Sequence, residues 1–234
     1  MELYTGTSGY GYKEWKGNFY PEKISPKKML PYYAARLGAV EINNTFYRMP
    51  TGSVVRSWAD QVPEKFLFAI KAPQVITHIK RLQNVREETR FFLTAVSVLS
   101  EKLGCVLFQF PAGFHRDLDA LKNFIGLIPG GIPCAFDFRS PSWRDPEVLG
   151  LLGKRNFCQG IEDTDENPVE KITSTATWGY FRLRRENYTG PGLKKWADKI
   201  FAQKWERVFV FFKHEEDMAA KGPYFAENFR KLFP

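Results

Sequence analysis

Eight short apolar segments begin near Leu3, Val40, Phe66, Val106, Cys134, Phe157, Trp178 and Val208, and each ends in polar or charged residues. They recur at roughly thirty residues, the length of one strand and its crossover, and most are separated by enough chain for a helix. Parallel strands need such a crossover, so the repeat predicts a parallel α/β sheet, and eight units predict a closed (β/α)8 barrel of the TIM type. In that architecture chemistry sits at the carboxyl ends of the strands.

The 234 residues are close to the ~250 typical of such a barrel with few insertions. No Gly/Ser-rich or charge-block linker divides them, so residues 1–234 read as one domain. A hydrophobic share of 44% and 21 phenylalanines are ample for one large core. The opening run MELYTGTSGY has neither a basic n-region nor an apolar h-region, and no apolar run reaches the ~18 residues of a membrane span. A soluble, cytoplasmic protein without a membrane partner is expected. The odd count of cysteines, Cys105, Cys134 and Cys158, without Cys-x-x-Cys spacing, predicts buried core residues rather than disulfides. A net charge of +8, from 34 Lys/Arg against 26 Asp/Glu, favours anionic partners without choosing between nucleic acid and a phosphorylated metabolite.

Strand patterns cover 3–9, 39–43, 66–70, 105–110, 134–138, 157–161, 178–183 and 208–212. The loops after the first three strands are long and rich in aromatic or polar residues, as binding loops are. Ser25-Pro26 reads as a helix start running to about Leu37, with Ser25 as N-cap. Other helices are expected after Thr51, over 87–103 and 117–128, from Ser140 to about Lys154, weakly over 168–175, from Gly190 to about Trp205, and from about Met218 to Leu232.

Alternate residues of a strand face opposite ways, so each strand can be sorted by parity. In the fifth strand Cys134, Phe136 and Phe138 form the apolar, helix-facing set, leaving Ala135, Asp137 and Arg139 inward. The same sorting turns Glu41 and Asn43, Leu67, Ala69 and Lys71, Leu107 and Gln109, and Tyr180, Arg182 and Arg184 inward. The sixth and eighth strands are ambiguous because both parities carry apolar residues. Inward charge at the strand ends is then two carboxylates, Glu41 and Asp137, against four cations, Lys71, Arg139, Arg182 and Arg184. Such an excess at a partly buried mouth calls for an anionic ligand, or for pairing of the carboxylates with two arginines as a closing network.

Arginine forks suit carboxylate or phosphate, and Lys71 can serve as a point charge or, with its proton loosened by neighbouring arginines, as a Schiff-base nucleophile. His78 and His214 are candidates for acid/base work at this face. Tyr10, Trp15, Tyr47 and Trp143 are expected to wall the pocket, with Asn43, Gln109 and Lys213 contributing polar contacts. No His-x-His or Glu-x-x-His pair appears, and no Walker loop, Gly-x-Gly-x-x-Gly, Gly-x-Ser-x-Gly or zinc finger. No metal and no cofactor are therefore expected.

The strand ends also carry a resemblance. Gly6-Thr7-Ser8-Gly9-Tyr10, Trp15-Lys16-Gly17, Phe19-Tyr20-Pro21 and Val40-Glu41-Ile42-Asn43-Asn44-Thr45-Phe46-Tyr47 resemble the opening signatures of the YecE-like family, domain of unknown function 72. Lys71-Ala72-Pro73, Ile76-Thr77-His78, Leu107-Phe108-Gln109-Phe110-Pro111, Phe138-Arg139-Ser140-Pro141-Ser142-Trp143 and Tyr180-Phe181-Arg182-Leu183-Arg184 extend it across the chain. The resemblance implies a TIM-type barrel and names no reaction. Many members carry Glu where this chain has Asp137, and an Asn-rich strand end where it has Phe212-Lys213-His214-Glu215-Glu216.

The expected function is an enzyme binding an anionic, phosphorylated or nucleotide-like ligand at the carboxyl face. Arg139, Arg182, Arg184 and Lys71 would hold the anion, and Glu41 and Asp137 would orient them or act as acid and base. The rivals are a non-catalytic nucleic-acid-binding barrel and a metal-dependent hydrolase or isomerase.

Overall fold

A computed structural model of the chain describes residues 1–213 and 221–233. Its strands are β1 Glu2–Thr7, β2 Ala39–Ile42, β3 Leu67–Lys71, β4 Leu103–Phe110, β5 Cys134–Phe138, β6 Cys158–Gln159, β7 Ile161–Asp163, β8 Trp178–Leu183 and β9 Arg207–Phe212. Every pairing between them is parallel. They form a five-stranded sheet, β2-β3-β4-β5-β6, and a four-stranded sheet, β1-β9-β8-β7. The result is a TIM-barrel-like α/β fold with two parallel sheets instead of one continuous ladder. Ser8 forms a parallel bridge with Glu41, and the Gly9 amide donates to the Glu41 carbonyl at 2.8 Å, between the β1 and β2 edges. Gly160 alone separates β6 from β7.

The helices are α1 Pro26–Ala34, α2 Asn44–Tyr47, α3 Gly52–Ala59, α4 Arg86–Ser97, α5 Leu118–Gly126, α6 Pro146–Gly153, α7 Gly190–Phe201 and α8 Lys221–Lys231. Pro26 opens α1 as expected, but Ser25 makes no side-chain cap. The helix expected over 87–103 stops at Ser97, because 103–110 is claimed by β4 after a 3-10 turn at Ser100–Lys102. Residues 168–175 form no helix. Their β-branched residues suit extended chain, and the Val169 amide is taken by the Asp163 carboxylate at 3.0 Å. Between β3 and α4 a π-helix, Val75–Ile79, carries His78. Met218, the expected start of the last helix, lies outside the described residues. No helix among the described residues is long and apolar enough to cross a membrane.

The strand faces divide the core in two. Val106, Phe108, Phe136, Phe181, Val210 and Phe212 pack with the helices in the larger cluster. Leu67, Ala69, Leu107, Ala135 and Tyr180 meet Phe209 and Phe211 in a separate cluster on the other face. The parity sorting is reproduced, and the previously ambiguous strands are resolved. Cys158 faces inward while Ile161 packs outward, and on β9 Phe209 and Phe211 face inward. The three cysteines are buried and free.

Candidate functional site

The inner face turns polar where the strands end. On β2, Glu41 is fully buried and accepts hydrogen bonds from Asn43 Nδ2 at 2.8 Å, Tyr180 OH at 2.6 Å, Arg182 Nε at 2.9 Å and Arg182 Nη2 at 3.1 Å. Burial alone would raise this carboxyl, but the Arg182 charge and these donors outweigh it and bring it down to about 2. Glu41 is thus a fixed anion and orients its neighbours. Arg182 spends its remaining Nη1 on Glu162 Oε1 at 3.0 Å and Asp137 Oδ2 at 3.4 Å. It is a hub of the carboxylate network and is only 3% exposed.

Lys71 ends β3, Gln109 stands near the end of β4 and Asp137 near the end of β5. Lys71 Nζ donates to Gln109 Oε1 at 2.7 Å, which orients the amide so that Nε2 donates to Asp137 Oδ2 at 2.8 Å. Burial and the nearby Glu162 charge push the Asp137 carboxyl up, against the opposing pull of Arg182, Gln109 and Arg139. Among the described residues both of its hydrogen bonds use Oδ2, which leaves Oδ1 for a proton on this acid. Lys71 Nζ also lies 4.1 Å from the centre of the Phe46 ring, and the His78 ring meets Phe46 in a T-shaped contact at 4.8 Å. Burial, then the charges of Lys71 and Arg139, pull the His78 imidazole down to about 4, leaving it neutral.

Glu162 was not singled out from the sequence, yet it joins three arginines. It lies in register with Arg182 and also pairs with Arg184 Nε at 3.2 Å and Arg139 Nε at 3.6 Å. The alternation Cys158-Gly160-Glu162 along one face is the signal that could have found it. Tyr12 is a second addition: its hydroxyl donates to the Ser8 carbonyl at 2.6 Å, and burial, then the Glu41 charge, push its phenol up to about 12. Gly9 makes room for it, with φ of +96° and a built Cβ only 2.5 Å from the Tyr12 oxygen. Outside the mouth, the buried Asp163 carboxylate takes Arg185 Nε at 2.7 Å, Arg185 Nη2 at 2.8 Å and Tyr188 OH at 3.0 Å, tying the chain after β7 to the chain after β8.

The family described as "Protein of unknown function DUF72" matches residues 4–234. The chain belongs to the DUF72 family. It is 32% identical over 231 residues to the UPF0759 protein YunF of Bacillus subtilis (strain 168), an alignment covering 92% of this chain and 79% of that protein. It is 34% identical over 115 residues to the UPF0759 protein YecE of Escherichia coli (strain K12), covering 49% of this chain and 42% of that protein. A DUF72 family protein from Thermotoga maritima MSB8 shares the fold with a TM-score of 0.83 at 24% identity, with 99% of each chain covered. Another from Enterococcus faecalis V583 gives 0.82 at 21%, covering 98% of this chain and 94% of that one. These two likenesses show the fold alone.

The DUF72 structure brings Glu41, Asn43, Lys71, Gln109, Asp137, Arg139, Arg182 and Arg184 together with His78. The expected aromatic walls are corrected. Trp15 is wholly buried among Tyr12, Phe19 and Tyr20, and Trp143 is stacked 4.5 Å from Phe138 with Nε1 donating to the Phe114 carbonyl at 2.7 Å. Both are core residues because an indole this large gains most by burial, and Trp143 satisfies its N–H there. Tyr10 is half-buried against Tyr33. Tyr47 is 77% exposed beside Phe46 on the rim. Lys213 follows β9, its amide donating to the Leu183 carbonyl at 3.2 Å, while His214 lies outside the described residues. Among the described residues no three His, Cys, Asp or Glu side chains are grouped to hold a metal.

A cleft of about 460 Å³ opens at the opposite, amino-terminal end of the strands, lined by residues including Glu2, Arg155, Trp178 and Arg207. Its arginines are already used. Arg155 donates to the Ile125 and Ile128 carbonyls, and Arg207 lies over the Trp178 and Phe209 rings. The carboxyl end, with its shifted acid, amine and imidazole, is the better candidate site.

Proposed function

We propose that this DUF72 protein is a cytoplasmic enzyme, folded over 1–234 as one (β/α)8 barrel, that binds an anionic, phosphorylated or nucleotide-like ligand at the carboxyl ends of its strands. The Ser8–Glu41 bridge and the single residue between β6 and β7 support closure of the two sheets into one barrel. Three free cysteines suit a reducing compartment.

The observation that carries the ligand reading is how the cations share their counter-ions. Arg182 saturates Glu41, while Arg139 and Arg184 both rest on Glu162, which Arg182 also uses. The Arg139 and Arg184 side chains keep 45% and 21% exposure, so they are the forks free to take a phosphate or carboxylate. Asp137, whose carboxyl is pushed up, stands beside them as the candidate acid.

A thermal-shift screen of sugar phosphates, nucleotides, metals and short oligonucleotides tests this, with Arg184→Met in parallel. A compact anion at ~100 times its dissociation constant adds about 2.7 kcal/mol, several degrees in a chain of this size. Stabilisation of the parent by such an anion and not of the variant supports the reading; an equal response of both removes it. The exposed Tyr47 beside Arg48 favours the rival nucleic-acid binder, which responds to oligonucleotides and loses affinity steeply with salt.

A further inference from the structure

Lys71 is the one member of the cluster for which the anion reading leaves the chemistry open. Its residue is only 9% exposed, and among the described residues its ammonium has no carboxylate partner. The neighbours it does have are the neutral Gln109 oxygen and the face of Phe46, while the Thr45 hydroxyl pins its carbonyl at 2.6 Å. A buried primary amine held against an aromatic face, without a carboxylate in contact, has more use as a nucleophile than as a structural charge.

We infer that Lys71 forms an imine with the carbonyl carbon of a small anionic aldehyde or 2-oxo acid. The inference rests on the anion reading, since Arg139 would hold the substrate's charge. Charged groups around the amine come from several elements: Arg182 on β8, Arg139 and Asp137 at the end of β5, and Glu41 on β2. Burial, then Arg182, bring Lys71 down to about 8, so a useful share is uncharged near neutrality.

The neutral amine adds its lone pair to the carbonyl carbon while the C=O π pair moves to oxygen. Proton transfer from nitrogen to oxygen gives the carbinolamine. A proton delivered from solvent to the hydroxyl lets water leave with the C–O pair, and the nitrogen pair closes a C=N bond that still carries one hydrogen. Amine, carbonyl and one proton thus yield an iminium and water, with the Asp137 carboxyl beside the new cation. Gln109 stands between amine and acid, bonded to both, and so fixes their spacing.

The test is borohydride trapping with glyoxylate, followed by peptide mass spectrometry. The expected product is a single carboxymethyl gain on Lys71, half-maximal near pH 8, exceeding that of any surface lysine. Lys71→Arg, which keeps the charge, abolishes it at unchanged thermal stability. Arg139→Met slows it without disturbing the fold. Inorganic phosphate binding is measured calorimetrically beside it. If phosphate binds through Arg139 but Lys71 labels no faster than surface lysines, the imine falls and the anion site stands. If Lys71 labels alone, with no phosphate bound and no effect of Arg139→Met, the anion reading falls instead. Neither signal overturns both.

Discussion

Arg182 grips Glu41 through two hydrogen bonds, Nε to Oε2 at 2.9 Å and Nη2 to Oε1 at 3.1 Å, with both side chains buried. This fork joins β8 to β2, strands of different sheets, and so stabilises the mouth from inside. Removing one partner leaves a buried charge uncompensated. Arg182→Met is expected to cost about 3–5 kcal/mol in urea denaturation. A cost below about 1 kcal/mol would mean that Glu41 is held by Tyr180 and Asn43 alone.

Glu162 is the second-largest influence raising Asp137, after burial. Replacing it with Gln removes a like charge from beside the acid. The Asp137 carboxyl in Glu162→Gln should titrate at lower pH than in the parent when followed by carbon NMR. An unchanged midpoint would show that burial alone holds the acid up.

His78 and Glu41 are depressed and therefore stabilise the fold from the high-pH side. His78 falls from 6.5 to about 4, so its contribution is complete above pH 6.5 and is lost as pH drops through 4. Glu41 falls from 4.5 to about 2, and its contribution is lost only between those values. His78→Gln should therefore flatten the stability profile between pH 6.5 and 4 while leaving the Glu41 limb between 4.5 and 2. Parallel profiles for parent and variant across that window would contradict the assignment.

Asp163 ties two site loops together from outside the mouth. Asp163→Asn weakens the two-pronged Arg185 contact and is expected to cost about 1–3 kcal/mol. Hydrogen exchange should quicken in 164–170 and 184–189 and stay slow in β4 and β5. Uniform acceleration across the chain would indicate a global loss of stability instead.

Much of this was legible in the sequence, because a strand has a period of two and only one face of each sheet carries the helices. Asp137 and Arg139 were placed by the three apolar residues alternating with them, and Lys71 and Gln109 by the same argument. Glu162 was missed for a physical reason: Gly160 has no side chain to declare its face, and apolar Cys158 on the inward parity with polar Gln159 on the outward one blurs the pattern. The alternation in fact runs unbroken, and the Gly160 amide hydrogen-bonds the Phe136 carbonyl at 2.8 Å. Trp15 and Trp143 were misread because a loop aromatic looks alike in sequence whether it rims a pocket or closes a core. The helix expected over 168–175 depended on spacing alone, and Asp163, which takes the Val169 amide, outweighed it.

Titration calorimetry with inorganic phosphate at fixed ionic strength, on the parent and on an Arg139→Met/Arg184→Met double variant, tests the central claim most directly. The account expects one saturable site per chain in the parent and none in the double variant, with both proteins equally folded. Absence of binding in the parent, or equal binding in both, would show that the arginines serve only Glu162 and that the mouth is a structural network.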